Sequence, residues 1–251
     1  EIQGGIATGA EGLTLNGTGI SSGGSLRNIS GDNTYAGAIT LGSASRINSD
    51  SGTLTLTGGI TNGGFLVTLG GSGNVTASTT AITGTGGLTK DGSGALTLSA
   101  ANTYSGTTTV SAGTLNINHA TALGTGTVTI GGASTLDNTS GGAITLSNNN
   151  VQNWNANFTF TGTNALNLGT GAVTLGADRT VTVSASTLTV GGAIGDGAET
   201  FAITKAGTGT LVFSGNNTYD GTTTVSAGVL NLRHANALGS TTGATSVTDG
   251  A

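Results

Sequence analysis

The tripeptide Asn-Thr-Tyr, followed one residue later by Gly, begins at Asn33, Asn102 and Asn217, at spacings of 69 and 115 residues (102 − 33 and 217 − 102). Both spacings are multiples of 23, and a repeat of about 23 residues suits one turn of a three-sided β-solenoid. The chain is therefore expected to wind about 11 times around one axis, each turn stacking on the last. A fold of this kind is first of all a spacer. Its function lies in what it holds apart or presents.

Composition supports extended strands broken by tight turns. Thr, Ser, Asn and Gly dominate, with 48 glycines and only 7% charged residues, and strong helix formers never recur at helical spacing. Pro is absent, as a continuous ladder demands, because each interior residue must donate its N–H to a neighbouring strand. Cys is absent too, which excludes disulfides, thiolate metal sites and cysteine nucleophiles. A net charge of −5 with six basic residues leaves no electrostatic footprint for nucleic acid. No apolar run is long enough to span a membrane, and residues 1–20 lack the charged start and apolar centre of a signal peptide. Because the pattern starts and stops in mid-repeat, residues 1–251 read as a single β-helix segment cut from something longer.

Written in rows of 23 from Ala10, apolar residues fall into three groups per row. The row from Gly171 has Val173 and Leu175, Val181 and Val183, then Leu188 and Val190; the row before it has Phe158 and Phe160, then Leu166 and Leu168. Alternation sends these side chains inward and Thr159 and Thr182 outward. One such turn buries too little apolar surface to offset the entropy of ordering its backbone, so stability is expected only from stacked turns.

The strongest internal copies are residues 88–124 and 203–239, about two thirds identical at a constant offset of 115. Asn102, Tyr104, Gly106, Val110, Gly113, Leu115, His119 and Leu123 match Asn217, Tyr219, Gly221, Val225, Gly228, Leu230, His234 and Leu238. The stretch near Asn33 reads as a degenerate third copy. In the motif, Asn is expected to bond the bend and Tyr to cover the edge of a turn.

The strings GTGTLVFSGNNTYDGTTTVSAGVLNL at 207–232 and GSGALTLSAANTYSGTTTVSAGTLNI at 92–117 resemble the autotransporter-associated β-strand repeat, or passenger-associated transport repeat, and HATALG and HANALG extend the likeness. The resemblance implies a right-handed parallel β-helix in the passenger of a type V secreted bacterial surface protein. It also implies an extracellular or outer-membrane-associated location and an outer-membrane translocator barrel as partner.

Candidate chemistry is sparse. His119 and His234, the only histidines, read as turn residues. Asp91 and Asp137 are expected in one column two turns apart, and Asp50 beside Arg27 as an exposed ion pair. Asp196, Glu199 and Asp220 form the one loose acidic group, where calcium would need help from backbone carbonyls. Gly70, Gly71 and Gly73 read as tight turns without the Lys of a phosphate loop. Trp154 is the one aromatic considered for stacking on a sugar. Thr180 and Thr182 fall on Asn157 and Thr159 of the preceding turn, so a double threonine ladder is not kept. These residues supply neither paired carboxylates for acid–base work nor a set of metal ligands, so no catalytic, cofactor-binding or metal-binding residue is assigned and no small-molecule substrate is evident.

The expectation is a non-enzymatic stalk that aids export and folding of the passenger. The alternative is an adhesin or a fibre that self-associates through the open ends of the solenoid.

Overall fold

Residues 1–248 are described in a computed structural model, in which the chain forms two compact units, Glu1–Gly126 and Thr127–Ala251. Each unit is a parallel β-solenoid, and together they make about 11 turns spaced about 21 residues apart. Among the described residues there is no α-helix; a single 3-10 turn, Ile20–Ser22, interrupts the strands.

In the first unit three faces are built by parallel pairing. One carries Leu13–Gly17, the start of the long strand Ile39–Ser49, Ile60–Thr61 and Ile82–Thr83. The second carries Leu26–Ser30, the end of Ile39–Ser49, Val67–Gly70, Leu88–Lys90 and Thr108–Val110. The third stacks Asn33–Tyr35, Thr53–Leu56, Asn74–Ala77, Ala95–Leu98 and Thr114–Ile117. The second unit repeats the plan, with Gln152–Trp154 on Val173–Leu175, Phe158–Phe160 on Arg179–Val183, and Leu166–Asn167 on Thr187–Val190. Period-2 alternation explains what is inside: Val173, Leu175, Val181, Val183, Leu188 and Val190 are all buried, while Thr159 and Thr182 stack as register partners between buried positions.

The turn length corrects the 23-residue reading. Pairing steps run from 19 residues, Leu96 to Leu115, to 28, Gly17 to Ser45. Three steps of 21 carry Asn33 onto Leu54, Val75 and Leu96. Asn102 lies six residues beyond Leu96, at a bend over a different face: the N–H of Thr103 donates to the carbonyl of Ile82, which stacks on Ile60 and Ile39. The spacing of 69 is therefore not three whole turns, and Asn33 is not the column-mate of Asn102. The architecture survives because apolar alternation and glycine bends, rather than an invariant turn length, define each face.

Glycine matters most where two bends stack in contact. A Cβ on Gly94 would sit 1.8 Å from the carbonyl oxygen of Gly73, and one on Gly192 would sit 1.8 Å from that of Gly171. Gly70, Gly71 and Gly73 belong to such a bend, with Gly71 at φ +112° against the Ser49 carbonyl. They serve tight turns, as the sequence indicates.

Candidate functional site

The two motif copies each build the same bend inside their own unit. Asn102 accepts a hydrogen bond at Oδ1 from the N–H of Ile82, 2.8 Å away in the preceding turn, and donates from Nδ2 to the carbonyl of Ala122 in the following one, 2.7 Å away. Asn217 does the same between Ile194 (2.9 Å) and Ala237 (2.6 Å). Both amides are buried, so each clamps three turns through backbone groups that would otherwise lack partners. Asn33 performs half of this task. Its Oδ1 accepts from Ile6, 2.7 Å away, but its Nδ2 turns to its own bend at Asn28, Ser30 and Gly31.

Tyr104 and Tyr219 correct the expectation that they cover an edge: both are fully buried. The Tyr104 hydroxyl donates to Thr108 Oγ1 at 2.6 Å, and Thr108 in turn donates to the carbonyl of Leu123 at 3.2 Å. Tyr219 and Thr223 form the same pair at 2.6 Å. Burial pushes both phenols above their ordinary range. The following HATALG and HANALG segments are turns. His119 Nδ1 accepts from the N–H of Thr121 and His234 Nδ1 from that of Asn236, both at 3.1 Å, as fits turn residues.

The largest feature beyond the sequence reading is a pair of buried lysines. Lys90 stacks between Leu69 and Val110, and Lys205 between Val181 and Val225, so each has aliphatic neighbours above and below. Each Nζ reaches the bend and donates to three backbone carbonyls. For Lys90 these are Asp91 (2.6 Å), Gly92 (2.9 Å) and Ala112 (3.1 Å); for Lys205 they are Ala206 (2.8 Å), Gly207 (2.7 Å) and Ala227 (3.0 Å). Burial lowers Lys90 to about 8, with Asp91 opposing and Arg46 adding to the shift, and it lowers Lys205 as well. A signal was present in the sequence: these are the chain's only two lysines, and they occupy the same position of the repeat.

Charged side chains of the first unit form a ladder along one bend. Arg27 bonds Asp50 at 2.8 Å through Nε, as the sequence suggests, and lies 3.5 Å from Glu1. Asp50 accepts from Asn48 at 2.6 Å, Asn48 accepts from Arg46 at 2.8 Å, and Arg46 pairs with Asp91. The last pair joins residues 45 apart across two turns: Arg46 stacks on Thr68 and Thr68 on Thr89, so Asp91 lies two residues beyond the column of Arg46.

The other candidates take structural roles. Asp137 accepts from the N–H groups of Asn138 (2.8 Å) and Thr163 (2.9 Å) and from the Thr163 hydroxyl (2.6 Å). Asp196 is buried, and its Oδ2 accepts from Phe201 (3.0 Å) and Asp220 (2.9 Å) N–H groups. Asp220 itself accepts from Ser240, and Glu199 is exposed. Among the described residues no group of three or more His, Cys, Asp or Glu is arranged to hold a metal ion. Trp154 corrects the idea of a sugar platform. It is fully buried, edge-on to Phe158 with ring centroids 5.0 Å apart at 74°, and its indole N–H donates to Gln152 at 3.2 Å. A recess of about 310 Å³ lies beside Asn216, Asn236 and Ser240, and its Asn216 and Asn236 amides bond each other at 2.7 Å.

These features define a class: a parallel β-solenoid whose specialised parts are two bends of common design. The family model of the passenger-associated-transport-repeat matches residues 88–117 and 203–232, which contain the Lys, Asn, Tyr and Thr of each bend. No curated protein and no solved structure matches the chain.

Proposed function

We propose that this chain is a non-enzymatic structural segment of a secreted or cell-surface passenger, and that its repeats aid export by folding into stiff, self-supporting turns. One observation carries the reading: both stretches matched by the passenger-associated-transport-repeat are bends whose Asn clamps the turns before and after it. A turn that satisfies its backbone only when neighbours are stacked folds cooperatively along the axis, and a chain folding in that way resists sliding back through a pore. The carboxylates support the same reading, because Asp137 and Asp196 spend their acceptors on backbone N–H groups instead of facing a substrate.

Deleting residues 88–124 and, separately, 203–232 in the native host, with the surface-exposed fraction measured by protease shaving, tests this reading. A marked fall in exposed protein is expected. Unchanged export overturns the secretion role.

A further inference from the structure

We propose that Lys90 and Lys205 are register pins: buried cations that select which residue of one turn stacks on which residue of the next. The problem they address is visible in the strands. Thr53–Leu56, Thr114–Ile117 and Thr187–Val190 all read as apolar residues at alternate positions. A slip of two residues therefore lays apolar side chains on apolar side chains and keeps the inward face inward. The bends do not forbid it, since pairing steps between 19 and 28 residues coexist in this chain. Hydrophobic burial alone leaves neighbouring registers close in energy.

The lysines break that degeneracy. Each occupies an inward position next to a bend, where three carbonyls converge on its Nζ. Two of the carbonyls belong to its own turn, and the third, from Ala112 or Ala227, belongs to the next. A two-residue slip of the next turn withdraws the third carbonyl and leaves the ammonium group over Leu69, or over Val181, without full compensation. The two copies also separate the socket from an ion pair. Asp91 follows Lys90, but Ala206 follows Lys205, so the shared element is the set of carbonyls and not a carboxylate. This role is independent of export, because it concerns which fold is reached and not where the chain is delivered.

The test replaces each lysine by an apolar side chain of similar length, Lys90→Met and Lys205→Met, and records amide correlation spectra of the 15N-labelled chain. Wild type is expected to give one signal per amide. Lys90→Met is expected to give a second set of signals for residues 67–117, and Lys205→Met for residues 181–232, each leaving the other unit single and serving as its control. A single set of signals in both variants overturns the proposal, whether they melt with wild type or before it. Collapse of either variant to random-coil shifts overturns it as well, since the lysine would then be an element of stability and not of choice between registers.

Discussion

At the scale of single residues, the bend is held by a few buried polar groups whose removal leaves identifiable orphans. Asn102→Ala strands the N–H of Ile82 and the carbonyl of Ala122, and Asn217→Ala strands those of Ile194 and Ala237. Each orphan costs about 1–3 kcal/mol, so either variant is expected to lower the melting temperature by roughly 5–10 °C. Tyr35→Phe is the contrasting case, because its hydroxyl bonds the Glu11 carbonyl in an exposed setting, and little change is expected. Alkaline titration supplies a second prediction, with opposing signs. Lys90 lies near 8 when folded and at 10.5 when unfolded, so between those values the unfolded chain holds more protons and stability rises with pH; Lys205 acts in the same direction. Tyr104 and Tyr219 are raised above 10.0, so their contribution is complete below that pH and is lost as pH climbs beyond it. Melting temperature is expected to pass through a maximum at about pH 9.5–10.5. Tyr104→Phe with Tyr219→Phe should blunt the fall, and Lys90→Met should blunt the rise. A profile that declines steadily from pH 7 contradicts the assignment.

At the scale of strands and bends, glycine placement decides how closely turns approach. Gly94→Ala puts a methyl 1.8 Å from the Gly73 carbonyl oxygen and forces backbone to move, at a cost of about 1–3 kcal/mol or more. Gly142→Ala meets nothing within 4 Å and is expected to be neutral or slightly stabilising, by about 0.4–1 kcal/mol. Denaturant melts of the two variants measure the contrast directly. These same bends explain what the sequence made legible. Strand interiors were readable because alternation is local: Phe158, Phe160, Val181 and Val183 can be placed inward from their neighbours alone. Register was less so. Each bend absorbs a different number of residues, so a period of 23 drifts against turns of about 21 and assigns Asn33 to the wrong face. The lysines were obscured for another reason: a charged residue in an alternating strand is read as outward, and only the carbonyls of the bend make an inward ammonium tolerable.

At the scale of the whole molecule, stability is additive along the stack, and whole turns should be removable where partial turns are not. Residues 53–73 make one such turn: Thr53 stacks on Asn74, Leu54 on Val75 and Leu56 on Ala77, so excising these 21 residues joins Gly52 to Asn74 in the column that Thr53 vacates. Val75 then lies over Asn33, where Leu54 lay, and Ile82 lies over Ile39, where Ile60 lay. The product is expected to keep a β-rich circular dichroism spectrum and one cooperative transition, with a melting temperature lower by the loss of one stacking interface. Removing residues 53–63 instead takes about half a turn. The remaining residues then reach the next bend out of phase, Val67 and Leu69 lose their seats on Ser45 and Ile47, and apolar columns turn toward water. That variant is expected to melt without cooperativity or to aggregate. Equal tolerance of the two deletions would mean that the first unit is not organised in interchangeable turns, whereas a folded whole-turn deletion beside a failed half-turn deletion ties the period of the stack to its stability.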